Sequence, residues 1–235
     1  MSSVLAIDAG TTGVRAIVFD DERVARGAAY RELATDYPKP GWVEQDPEHV
    51  WTSTRIVIAE ALAAAGLVAS DLTAIGIANQ RSSLAAWDAG TLEPLSALIS
   101  WQDVRAGDSA RVLAEQGFIA TPNMALTKAD WIVHNIPAAA AAAAAGRLAL
   151  GGVESWICAR LTGGVNICDH GSASTTGLYA HLEGKSEARA LEAIGVSESS
   201  LPRMVDSAAV VAVSTVDAIG AAVPIAGICG DQQSS

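Results

Sequence analysis

Aromatic residues make up only 5% of this 235-residue chain, and cysteine occurs three times, as Cys158, Cys168 and Cys229. This odd count of scattered cysteines, with no C-x-x-C pair and no zinc-ligand spacing, suits reduced thiols in a cytoplasmic protein better than a disulfide framework. Basic residues are scarce as well: 15 Lys and Arg stand against 26 Asp and Glu, a net charge of −11. A field of that sign repels phosphate backbones and argues against a nucleic-acid partner. No apolar run reaches the roughly 18 residues of a membrane span. The start, Met1-Ser2-Ser3-Val4, lacks the basic residues of a signal peptide. The expected class is a soluble cytoplasmic protein with no membrane partner.

What the chain does have is 50% hydrophobic residues with only 17% charged ones, ample for a core. Val4-Leu5-Ala6-Ile7 reads as a strand, Asp8 to Gly13 as a turn, and Val14 to Phe19 as a second strand. A third over Val24 to Leu33 completes an antiparallel meander. Tyr37-Pro38-Lys39-Pro40-Gly41-Trp42 cannot be helix. Asp46 then Pro47 is a capped helix start, with a stop near Gly66. Strands are expected over Ala74 to Ala78, Leu84 to Trp87, Val210 to Val213 and Ile225 to Ile228. Helices are expected over Val104 to Gln116, Lys128 to Ile136, Val153 to Leu161 and Glu187 to Ile194. The alanine run Ala138 to Ala145 reads as helix without functional weight. A meander followed by strands mixed with helices makes an α/β layer structure.

Four polar clusters stand at strand ends. Asp8-Ala9-Gly10-Thr11-Thr12-Gly13 lies between two strands. Its glycines let the backbone approach an anion, its threonines can hold phosphate oxygens, and Asp8 can hold Mg²⁺. An ordinary hairpin turn would use the same residues. Asn79-Gln80-Arg81-Ser82-Ser83 follows a strand, where α/β sheets place ligand contacts. Trp101-Gln102-Asp103 sets an aromatic ring beside hydrogen-bonding groups, a combination that stacks on a sugar skeleton, although Trp101 could equally be core, the reading that suits Trp51 and Trp156. Gly230-Asp231-Gln232-Gln233 is a further acid at a strand end. Gly184-Lys185-Ser186 mimics the end of a Walker loop, but Tyr179 stands where the first glycine belongs.

Taken together, these clusters and the block Tyr37-Pro38-Lys39-Pro40-Gly41-Trp42-Val43-Glu44-Gln45-Asp46-Pro47 resemble the FGGY family of carbohydrate kinases, most closely its glycerol kinase-like members. The motifs follow the family's order from Ala6 to Gln233. The resemblance implies a ribonuclease H-like lobe of the actin-like ATPase type, a mixed sheet flanked by helices. It also implies that residues 1–235 are the N-terminal domain, the C-terminal nucleotide-binding lobe lying outside this chain and acting as its partner; a homodimer is left open.

By the same resemblance, the activity is ATP-dependent phosphorylation of a sugar or polyol, with ATP and Mg²⁺. Asp231 matches the catalytic base and Asp8 the magnesium ligand. Thr11, Thr12, Gly13 and Arg15 match the nucleotide phosphate contacts. Arg81, Trp101, Asp231 and Gln232 match substrate contacts, and Ser82 and Asn123 occupy two further substrate positions. Those two depart from the glycerol pattern, Ser82 standing for a glutamate and Asn123 for a tyrosine. Smaller side chains at both places point to a polyol or sugar other than glycerol. Other enzymes on the same scaffold, such as hexokinase-like or chaperone-like ATPases, lack the Tyr-Pro-Lys-Pro-Gly-Trp and Gly-Asp-Gln-Gln blocks. A half-kinase that binds a ligand or partner without catalysis is the alternative from another class.

Overall fold

A computed structural model describes residues 2–234. The meander forms as the alternation dictates: β1 (Ser3–Ala9), β2 (Gly13–Phe19) and β3 (Ala25–Glu32) pair antiparallel in sequence order. The short β4 (Glu44–Gln45) leads into α1 (Pro47–Ala65). Asp46 caps that helix by accepting from the Glu48 amide at 2.9 Å. Gly66 ends it at φ 68°, a left-handed position that suits glycine. α1 lies so close on β3 that a Cβ on Gly27 would stand 2.6 Å from the Ala65 nitrogen.

β5 (Leu72–Asn79) then runs parallel to β1, and β6 (Ala85–Asp88) and β7 (Leu98–Ile99) follow. α2 (Gly107–Glu115), α3 (Ala125–Asn135) and α4 (Pro137–Ala144) are succeeded by β8 (Leu148–Gly151), which pairs with β6. α5 (Val153–Thr162), β9 (Ile167–Asp169) and α6 (His170–Ala173) come next. A small hairpin of β10 (Tyr179–Ala180) and β11 (Lys185–Ser186) precedes α7 (Ala188–Ile194). β12 (Arg203–Val205), β13 (Ala212–Val213), α8 (Val216–Ile219), β14 (Pro224–Gly230) and α9 (Asp231–Ser234) complete the order.

The central sheet reads β13-β14-β5-β1-β2-β3, with β14, β5 and β1 mutually parallel. Leu5, Ile7, Val14, Val18, Ile75, Ile77 and Ile228 point to one face and are buried. They form one core with residues of α1 and α5. Trp156 of α5 donates Nε1–H to the Pro47 carbonyl at 2.7 Å and stands edge-on to Trp87. Trp51 and Trp156 are thus core, as the sequence indicated. A second apolar cluster gathers α3, α4, α7 and β8. Alternation along the strands sends Val4, Asp8 and Arg15 to the opposite face, where all three are exposed.

Candidate functional site

Parallel strands bring their carboxyl ends to one edge, and three of the four polar clusters meet there. Strand register sets Cys229, Ala78, Asp8 and Arg15 in a row across β14, β5, β1 and β2. Asp8 is exposed at the end of β1, with Arg15 directly opposite it on β2. The Arg15 guanidinium lies over the Tyr30 ring, 5.6 Å from its centroid.

The turn between β1 and β2 closes with the Gly10 amide donating to the Gly13 carbonyl at 3.0 Å. Gly13 is buried at the head of β2, while Thr12 is exposed. Thr11 faces inward: its hydroxyl donates to Gln80 Oε1 at 3.2 Å and accepts from Trp101 Nε1 at 2.9 Å. Gln80 in turn donates to Gln45 Oε1 at 3.1 Å and accepts from the Ser83 hydroxyl at 3.1 Å. Ser83 Oγ also receives the Trp101 amide at 3.1 Å. Trp101 is therefore no core residue: it is held at both ends with its ring half exposed.

Arg81 spans the remaining gap. Its guanidinium donates to Gln232 Oε1 and stands 4.0 Å from Asp231 Oδ1. The close approach requires Gly230, where a Cβ would lie 2.5 Å from Arg81 Cδ. The Asp231 carboxylate remains half exposed and accepts from the Gln232 amide at 2.8 Å. Asn123 lies on a separate loop, exposed, with Oδ1 accepting from the Thr121 hydroxyl at 2.7 Å. It reaches the site through Lys128, whose Nζ donates to the carbonyls of Ser82 and Asn123.

Behind these residues stands a rigid buttress. Arg105 lies over Trp42 and beside Trp131, 3.9 and 5.2 Å from their ring centroids, and the two rings meet edge to face 5.3 Å apart. It pairs with Asp103 at 2.8 Å and Glu44 at 2.6 Å. Asp103, fully buried, also accepts from the Val43 amide at 2.6 Å. A charge removed from water needs this number of partners.

A second polar cluster underlies β5. Glu154 of α5 is buried and accepts from Asn79 Nδ2 at 2.7 Å, and the same amide group reaches the Gln80 carbonyl. Burial pushes the Glu154 carboxyl up to about 7, and neighbouring Asp169 adds to the effect. Asp169 is itself buried, capping α6 through the Gly171 and Ser172 amides.

Residues 3–235 match the profile of the FGGY family of carbohydrate kinases, N-terminal domain. The chain belongs to that family. It is 42% identical to a glycerol kinase of Bradyrhizobium diazoefficiens over 246 residues, covering 100% of this chain and 49% of that protein. A glycerol kinase of Rhizobium rhizogenes is 38% identical, with 99% and 49% covered. The FGGY fold is equally plain. Plasmodium falciparum glycerol kinase with ADP superposes with a TM-score of 0.93 at 23% identity, covering 100% of this chain and 49% of that one. A xylulose kinase from Rhodospirillum rubrum gives 0.85 at 24% identity, with 98% and 49% covered. The chain spans about half the length of the curated relatives it matches. Its lobe is of the actin-like type, a mixed sheet flanked by helices.

Of the residues singled out in sequence, Asp8, Arg15, Arg81, Asp231 and Gln232 share the sheet edge, and Thr11 and Trp101 are tied to it. Ser82 and Asn123 join through backbone carbonyls. Sequence reasoning placed Gln45, Gln80 and Ser83 in its motifs without giving them individual roles, and it missed Lys128. Lys128 carried a visible signal: it occupies an apolar-stripe position with Ala125, Ala129 and Ile132. Starting the helix at Lys128, three residues late, hid that spacing.

Proposed function

We propose that this chain is the substrate-side lobe of an ATP-dependent kinase that phosphorylates a hydroxyl of a sugar or polyol, with Asp231 as the base. The observation that carries the reading is Arg81, held to Gln232 and beside Asp231 at the end of β14. A cation that can bind substrate oxygens thereby stands next to a half-exposed carboxylate. Trp101 offers its half-exposed ring nearby as a stacking surface for a carbon skeleton.

Phosphoryl transfer through a loose transition state asks a protein for positioning and charge neutralisation. The substrate hydroxyl oxygen attacks the γ-phosphorus, the bond to the β-phosphate oxygen breaks, and the hydroxyl proton passes to Asp231. A carboxylate is far too weak a base to deprotonate an alcohol in advance. Asp231 therefore orients the hydroxyl and takes its proton late, as the new P–O bond forms.

Thr12, Gly13 and Arg15 would meet the phosphates, while the Thr11 hydroxyl is engaged in holding Trp101. Among the described residues no three His, Cys, Asp or Glu side chains cluster as a metal cage. Mg²⁺ commonly takes one carboxylate plus water and phosphate oxygens, which the exposed Asp8 fits. Held there, it would neutralise charge on the transferring phosphoryl group.

Ser82 and Asn123 leave more room than the glutamate and tyrosine of the glycerol pattern, so a polyol or sugar other than glycerol is the proposed substrate. Phosphorylation assays of the two-lobed protein over a panel of polyols and sugars test this. Glycerol emerging with the highest kcat/KM would overturn the substrate assignment. Asp231→Asn is expected to lower kcat about 10²- to 10⁴-fold with substrate affinity retained, and an unchanged kcat would remove Asp231 from its role. This chain alone is expected to show negligible turnover; ordinary enzyme rates of ~1 s⁻¹ or more would show that it carries a complete site.

A further inference from the structure

Lys128 stands where the pattern of α3 wants an apolar side chain. Its neighbours on the stripe, Ala125, Ala129 and Ile132, are buried, and Lys128 itself has no solvent exposure. Nζ donates to the Ser82 carbonyl at 2.6 Å and the Asn123 carbonyl at 2.9 Å. These belong to two loops far apart in sequence, one following β5 and the other preceding α3. Both are positions where the chain departs from the glycerol pattern.

Ser82 is also one of three non-glycine residues with positive φ among the described residues, at 62°. Such a conformation persists where the surroundings impose it. Methionine would fill the same volume at less electrostatic cost, since burial pushes the Lys128 ammonium down to about 7. Asp103 raises it in part and Arg105 lowers it further. Protonated or neutral, the amine carries at least two N–H groups, one for each carbonyl.

We propose that Lys128 is a positioning residue of the substrate site, clamping the backbones of Ser82 and Asn123 and so fixing the separation of the loops that select the sugar or polyol. The contact is to main chain, so side chains at both positions can change while the loop geometry is kept. The identity of the ligand rests on the kinase reading; the clamp is a property of this chain and can be tested without turnover.

The experiment is amide hydrogen exchange by mass spectrometry on this chain, as wild type, Lys128→Met and Lys128→Arg. Losing both hydrogen bonds is expected to speed exchange about tenfold in residues 81–84 and 122–126 together, with β1 and α1 unchanged. Lys128→Arg, which keeps donors, is expected to restore much of the protection. Unchanged exchange in both loops, acceleration in one loop alone, or uniform acceleration over the whole chain would each overturn the clamp. Should Lys128→Met not fold, Lys128→Gln, which keeps one amide donor, is read by the same criterion. In the two-lobed protein, Lys128→Met is expected to raise the KM for the best panel substrate about tenfold with the KM for ATP unaltered. Equal changes in both would mark a merely structural lysine. If no panel compound is phosphorylated by the wild type, the kinase reading fails while hydrogen exchange still decides the clamp.

Discussion

The buried Glu154 gives a stability experiment with a definite sign. Its carboxyl titrates at about 7 in the folded chain against 4.5 for an ordinary glutamate, because burial and Asp169 both disfavour the anion. A folded-state pKa above the unfolded one means that the native chain holds a proton which the unfolded chain has released. The resulting stability is complete below pH 4.5 and is lost as pH rises through 7. Within that window each pH unit costs the folded state about 1.4 kcal/mol. Between pH 5.5 and 7 the loss is therefore about 2 kcal/mol, and little more follows by pH 8.

Glu154→Gln removes the titration and retains an oxygen that can accept from Asn79 Nδ2. Urea unfolding of wild type and variant at pH 5.5 and pH 8 isolates the term, because groups away from the substitution contribute equally in both proteins. The variant is expected to gain about 2 kcal/mol on wild type between the two pH values. A gap that stays constant with pH, or one that narrows in the variant's disfavour at pH 8, would refute the assignment of the proton to Glu154.

Two further substitutions probe the frame. Arg105→Ala leaves Asp103 buried without its cationic partner and strips the guanidinium from the Trp42 ring. It is expected to cost about 3–5 kcal/mol by denaturant unfolding, and a loss within experimental error would show that the buttress contributes nothing. Asp46→Ala removes the cap of α1 and should cost about 1 kcal/mol, read from the unfolding midpoint at constant slope.

The elements legible in the sequence are those whose local signals agree with their packing. The meander, α1 with its Asp46 and Gly66 ends, β5, α5 and β14 all follow from alternation, caps and apolar runs. Where side chains hold the backbone in other ways, boundaries moved. The helix expected from Val104 begins at Gly107, because the Val104 amide donates to the Gly41 carbonyl and the Arg105 amide to Asp103 Oδ1. The helix expected from Lys128 begins at Ala125, its first turn anchored by the Leu126 amide on the Thr176 carbonyl. Of Val210 to Val213, only Ala212–Val213 pairs as a strand, at the edge of the sheet. β8 went unforeseen: four residues after an alanine helix carry too short a pattern to declare a strand.

The same distinction explains why family membership was legible and the substrate was not. The block from Tyr37 to Pro47 is the most specific stretch of the chain, and from Trp42 to Asp46 its residues hold parts of the structure. Trp42 stacks on Arg105, Val43 binds Asp103, Glu44 pairs with Arg105, Gln45 donates to the Thr11 carbonyl at 2.9 Å, and Asp46 caps α1. Except for Val43, which uses its backbone amide, each of these contacts needs a particular side chain at a particular place, so this stretch announces the fold. Ser82 and Asn123, the positions proposed to select the ligand, are held by Lys128 through their backbones. That contact is to main chain and by itself fixes neither side chain. A reading that starts from the strongest motif therefore reaches the scaffold first and the substrate last.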